Sequence, residues 1–428
     1  MWHRLAGLRA TVAVLLFLFA LAPAAGRTQA PPRPPEFTAR VDLVTVEITV
    51  LDRNGQPVPG LAKEAFSVYE DGVRQETAAF EAIDLRPGAP VAGAAPAEPP
   101  AVDGATRGPA PPWTYVLVVD DVHLTPSQAS DVRKAVSRLI DGLPAGARVV
   151  LIATAARVVS DHTLPDGRDL LISRLKAVKG SLSANRVDEL MSDQEAYEIH
   201  VRHNMVIEDM VTRRIVRLEA GDSLEKSDPY YERAGMLRAV TETRGRAGQR
   251  CYLMTLRART TLGVLRNALQ WLGRVGGRRT LVLASRGFVR EPVATEIEDV
   301  ARASLVANVS VTFLDVRDHG GTIPYEGPEY GPSLPVESLA DTAASVFAEA
   351  SGTETLALET GGLIIHRPAN LAKGLDRIVA AGSTCYLLGF HPLNEARDGR
   401  FRRLDVRLAG GADGWRVMGR RGYYAPRN

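Results

Sequence analysis

The fold turns on Tyr115-Val116-Leu117-Val118-Val119-Asp120-Asp121. An apolar run this short suits a strand covered on both faces, and the two carboxylates stop the burial. Beyond it, Val132, Val136, Leu139 and Ile140 recur at helical spacing. The short apolar pattern returns at Val149–Ile152, Thr280–Ala284 and Val309–Leu314, and Val293, Ile297, Val300 and Leu305 form another helical stripe. Strands alternating with helices imply an α/β, Rossmann-like unit with a mainly parallel sheet and helices on both faces. It is expected over residues 113–382.

Outward from this unit the pattern changes on both sides. Val44, Val46, Ile48 and Val50 alternate with polar residues, the period of a half-buried strand. Asn54-Gly55 and Asp71-Gly72 are hairpin signals, with the strand Phe66–Glu70 between them. Residues 37–85 therefore read as a β unit, followed over 86–112 by a Pro/Ala/Gly-rich linker with nothing to bury. Cys385–Phe390 is apolar, and Leu404, Val406 and Leu408 alternate with charged residues, so 383–428 is a second β segment. Isolated hairpins are marginal in water, so the two β pieces are expected to pair into a sandwich-like body. Residues 181–250 are polar and helix-prone, with Ile207, Val211, Ile215 and Leu218 on one face and a break at Asp228-Pro229. They read as a helical insertion, either a projecting hairpin or a packing extension over a sheet edge.

Arg4 and Arg9 precede an apolar run from Thr11 to Ala22, with small residues at Ala22, Ala24 and Ala25. That is the order of a secretory signal peptide over residues 1–25, and it predicts export to a periplasm or the medium. An uncleaved anchor is the alternative, though the run falls short of the ~20 residues that span a bilayer. The formal charge of +2 on 428 residues gives no global electrostatic case for nucleic acid or anionic membrane. The two cysteines, Cys251 and Cys385, could pair in an oxidising compartment; two separate buried thiols is the preferred reading.

The stretch Tyr115–Asp121, the later Thr280-Leu-Val-Leu-Ala-Ser285-Arg286-Gly287 and the order of helices between them resemble a von Willebrand factor type A domain. With Val50–Gly55, Phe66–Gly72, Thr360–Gly362, Tyr386–Phe390 and Gly422–Tyr424, the chain from about 37 to 425 resembles the von Willebrand factor A-related proteins of acidobacteria. The resemblance implies a divalent cation, Mg or Ca, held at the carboxyl ends of the strands by Asp-x-Ser-x-Ser, a loop Thr and a later Asp. Asp120 matches the first position, but Val122 and Leu124 stand at the two Ser positions and Arg286 at the later Asp. Thr260 or Thr261 could supply the hydroxyl. A degenerate site is therefore expected, with Asp120 and Asp121 as its remaining metal ligands. Asp121 and His123 could build a substitute site with Asp120; the preferred reading is an ion pair in which Arg286 replaces the cation beside Asp120. No resident cofactor is expected.

Catalytic spacings such as G-x-S-x-G, a phosphate-binding loop or H-E-x-x-H do not occur. His200 and His203 lie one helical turn apart, but Ala196 and Ile207 hold the positions a third ligand would need. Ser285 has no evident base in sequence, and Asp315 and Asp318 follow a strand at the ligand-binding edge. The expected function is a non-enzymatic binding or adhesion module. It would meet an unidentified protein partner through Asp120, Asp121, His123, Arg286 and Asp315, with the insertion alongside. The alternative is an extracytoplasmic hydrolase using Asp120, Asp121 and His123.

Overall fold

The computed structural model describes residues 43–84, 113–155, 159–182, 191–220, 229–317, 348–366, 371–410 and 414–427. The signal-like segment 1–25, the 86–112 linker and Asp318 lie outside these residues. Among the described residues no helix is long and apolar enough to cross a membrane.

The centre is a six-stranded, mostly parallel sheet with helices on both faces, so the fold is mixed α/β. Its middle strand is β5 (Trp113–Val119), all seven residues of which are buried. β6 (Arg148–Ala153) lies parallel on one side of it and β8 (Arg278–Ser285) on the other. β9 (Val311–Asp315) and β10 (Ile364–Ile365) continue beyond β8 in parallel, and β7 (Val159–Thr163) closes the other edge antiparallel to β6. The chain leaves β5 to one side through β6 and later returns to the other through β8. The strand order thus reverses between β5 and β8, and ligands of open α/β sheets bind off the carboxyl ends at such a point.

Alternation along β5 feeds two cores. Tyr115, Leu117 and Val119 pack with α1 (Pro126–Gly142), α2 (Arg168–Leu175) and α8 (Leu371–Ser383); Val116 and Val118 face α5 (Pro229–Leu272), α6 (Ala294–Ala307) and α7 (Ser351–Thr360). α1 starts where Thr125 forms a reciprocal capping box with Gln128 and Pro126 occupies the first turn. α6 stops where Asn308 turns left-handed, at φ 51°.

The flanking β segments form two four-stranded sheets. In one, β1 (Val44–Leu51) lies between β13 (Arg416–Gly419) and β11 (Thr384–Phe390), with β4 (Thr77–Asp84) beyond β11. In the other the order is β14 (Gly422–Tyr424), β12 (Phe401–Leu408), β2 (Phe66–Glu70) and β3 (Val73–Gln75). Both sheets thus combine strands from the two ends of the chain, alternating in the first and grouped two and two in the second. Val46, Ile48, Phe66, Tyr386, Phe390 and Leu404 fill the space between the two sheets. Cys251 on α5 and Cys385 on β11 are separate, buried thiols.

The insertion differs from its expected outline. It contains α3 (Asp193–His200) and α4 (Met205–Ala220), but it does not end near residue 250. α5 runs unbroken for 44 residues from the insertion into the core of the α/β unit. One buried stripe explains the continuity: Ala247, Cys251, Met254, Ala258, Leu262, Leu265, Leu269 and Leu272 repeat at intervals of three and four. Its first members pack against α3 and α4, its last against the sheet. Arg214 and Glu195 join α4 to α3 through two buried hydrogen bonds of 3.0 and 2.9 Å. His200 closes against α5 at Gly248, where an added Cβ would stand 3.2 Å from the ring.

Candidate functional site

At the reversal point, β5 delivers Asp120 and β8 delivers Ser285. Both side chains are fully buried. Asp120 Oδ1 accepts the Thr261 hydroxyl of α5 at 2.5 Å, and the Thr154 oxygen, just past β6, lies 3.4 Å from it. Asp120 Oδ2 accepts the Ser285 hydroxyl at 2.6 Å and His123 Nδ1 at 2.8 Å. A carboxylate offers about four lone-pair positions, and here three face committed protein donors, Thr261, Ser285 and His123, while the single Thr154 proton goes to Asp121. Burial alone would push the Asp120 carboxyl up. The His123 charge and the hydrogen bonds from His123, Ser285 and Thr261 outweigh it and hold the group below the usual carboxylate range.

Asp121 turns to the neighbouring strand end. It accepts the Thr154 hydroxyl at 2.9 Å and the Ala155 amide at 2.6 Å. Ser285 Oγ in turn accepts the Gly287 amide at 2.9 Å. His123 is 2 % exposed, stacks at a tilt near Phe288, and leaves Nε2 buried with no hydrogen-bond partner.

The insertion roofs this cluster. Asp193, at the start of α3, accepts Arg250 Nε at 2.7 Å and lies 3.7 Å from Arg257. Its amide donates to Glu349, whose other oxygen accepts Arg286 Nη2 at 2.6 Å. Burial opposes ionisation of Asp193, but Arg250, Arg257, Arg286 and His123 together hold its carboxyl low.

The expected ion pair between Asp120 and Arg286 is therefore replaced. Successive strand residues point to opposite sides, so Ser285 takes the place beside Asp120 and Arg286 reaches Glu349. Of the two candidate threonines, Thr261 contacts Asp120, whereas the Thr260 hydroxyl turns back to the Leu256 carbonyl at 3.0 Å. Leu124 is wholly buried, and Val122 meets the network only through its amide, which donates to Thr154 at 3.3 Å. Asp120, Asp121 and His123 are 0 %, 1 % and 2 % exposed, so none offers surface to a partner while the roof is in place.

Asp315 lies apart, at the end of β9. Arg317 grips it through Nε at 3.0 Å and Nη2 at 2.7 Å, and His366 Nδ1 stands 3.3 Å away. Asp315, Glu354 and His366 bring ligand-type atoms within 4.8 Å of one another, and the Arg317 guanidinium pairs with both carboxylates, at 2.7 Å to Asp315 and 3.5 Å to Glu354. Sequence reasoning missed Thr154, Asp193, Glu349, Arg317 and His366. Parallel strands gather their ends, so a polar residue just after β6 was the one readable signal, and it pointed to Thr154.

Comparison with family models, with curated proteins and with solved structures gives no match to this chain.

Proposed function

We propose that the chain is an exported, non-enzymatic binding protein of the von Willebrand factor type A-related kind, in which the cation seat has become a structural hydrogen-bond network. The observation that carries this reading is the occupation of both oxygens of the fully buried Asp120 by three protein donors, His123, Thr261 and Ser285. A hard cation needs free oxygen lone pairs, and Val122 and Leu124 supply none. The fold reading is supported by the strand order reversing at Asp120 and Ser285, and export by the charged, apolar and small-residue order of residues 1–25. With the sheet edge roofed, the partner surface falls to the insertion, where Val201, Met205 and Val206, and Tyr252, Leu253 and Leu256 of α5, are exposed.

The test is calorimetric titration of the mature protein with magnesium, manganese and calcium, alongside Asp120→Ala. The expected result is no micromolar binding, with a variant that is only less stable. Micromolar binding that disappears in Asp120→Ala would overturn the structural reading.

One observation favours a hydrolase instead: His123 holds Asp120 through Nδ1 and leaves Nε2 unpartnered, as a general base would. Against it, the Ser285 hydroxyl donates to Asp120 rather than to His123. Covalent labelling of Ser285 by a fluorophosphonate probe would establish the hydrolase; an unlabelled Ser285 in folded protein removes it.

A further inference from the structure

A cavity of about 90 Å³ opens at the other end of the parallel sheet, where the β-sandwich meets the α/β unit. Arg279, near the start of β8, lines it, whereas Ser285 ends the same strand roughly 20 Å away at strand rise. Arg420, which follows β13, lines the same cavity. Glu47, the one carboxylate lining the cavity among the described residues, is bonded to Arg278 at 2.8 Å.

The two arginines have spent little of their donor capacity on charge. Arg279 gives Nη1 to the Leu272 carbonyl at 3.0 Å, and Arg420 gives Nη2 to the Thr45 carbonyl. Both acceptors are neutral. Arg420 Nε is buried without a hydrogen-bond partner. Burial lowers both guanidinium groups; Arg420 falls to about 10 against the influence of Tyr423, and Arg279 is lowered despite Glu47. Two desolvated positive charges facing one cavity are costly unless an anion joins them.

The polar ends of the adjoining helices do not supply that anion. The closing carbonyls of α6 accept the Asn308 and Val309 amides at 3.3 and 3.1 Å, and those of α7 accept the Gly361 and Gly362 amides at 3.3 and 2.9 Å. Asn308, Ser310 and Thr312 add neutral polar groups to the wall. The seam itself is tight, because a Cβ at Gly361 would collide with the backbone of Gly419.

We propose that this cavity, lined by Arg279 and Arg420, binds a compact tetrahedral oxyanion, phosphate or sulfate. Its volume leaves room for such an ion. The ion would bridge β8 of the α/β unit and β13 of the sandwich, so binding stabilises both together. The site is independent of the Asp120 cluster and of the function proposed there.

The test is calorimetry and thermal unfolding of the intact protein with inorganic phosphate and with sulfate, chloride holding the ionic strength constant. The expected result is saturable binding with a rising Tm. Arg279→Gln and Arg420→Gln should each weaken it by about tenfold or more, the worth of a charge-assisted hydrogen bond. Arg148→Gln, at a surface pair with Asp161, should leave it unchanged. Should the cavity variants fail to fold, phenylglyoxal modification of the wild-type protein, mapped by mass spectrometry, reads the same contact. Phosphate is expected to protect Arg279 and Arg420. Absence of saturable binding, undiminished binding in folded variants, or modification unaffected by phosphate overturns the proposal.

Discussion

The Thr261 hydroxyl donates to Asp120 Oδ1 at 2.5 Å, joining helix α5 to the end of strand β5 across 141 residues. Thr261→Val keeps the shape and removes the donor. The expected cost is about 1–3 kcal/mol, because a buried carboxylate loses a partner that water cannot replace. Thr260→Val, whose hydroxyl bonds its own helix at the surface, should change stability by about 0.5 kcal/mol or less. Urea unfolding midpoints at constant slope separate the two.

The depressed Asp120 carboxyl sets a direction for acid sensitivity. A carboxyl whose folded pKa lies below its unfolded value contributes stability above the unfolded value of 3.8. That contribution is lost as pH falls through the folded value. Wild-type Tm should therefore drop steeply below about pH 4, a drop that Asp193 shares in direction. Asp120→Asn should start less stable at pH 7 and decline less on acidification. A variant that keeps the full wild-type slope would place the acid sensitivity elsewhere.

Within the insertion, burial decides what an ion pair is worth. Glu195→Gln leaves Arg214 buried, charged and short of its partner, and should cost about 3–5 kcal/mol. Asp209→Asn, which breaks the exposed pair with Arg213, should cost about 0.5 kcal/mol or less. Chemical denaturation followed by circular dichroism at 222 nm measures both, since α3, α4 and α5 dominate the insertion.

Gly263 sits inside α5, and an added Cβ there meets nothing within 4 Å. Gly263→Ala should stabilise the protein by about 0.5–1 kcal/mol through reduced freedom of the unfolded chain and better helix propensity. A lower Tm in this variant would mean that the α5 backbone at this point is not regular helix.

Legibility in the sequence followed locality. β5 is all apolar because it is covered on both faces, and β1 alternates because one face is covered, so both were readable from spacing alone. The end of the insertion was not. The stripe that carries α5 into the core begins with Ala247 and Cys251, residues too small to stand out against charged neighbours such as Arg246 and Arg250. Asp120 announced itself as the terminus of a buried strand, but its partners come from residues 3, 141 and 165 positions away. Which of Ser285 and Arg286 faces Asp120 depends on the register of β8 against β5, and one residue of register exchanges them.

A single rod of 44 residues, about 66 Å long at helical rise, has mechanical consequences. No linker separates the part of α5 that packs with α3 and α4 from the part that lies on the sheet. Tension applied to the insertion is therefore not absorbed by an extensible tether. It passes along the rod and loads the Thr261–Asp120 bond, which makes the strand-end cluster the anchor point of the whole arm.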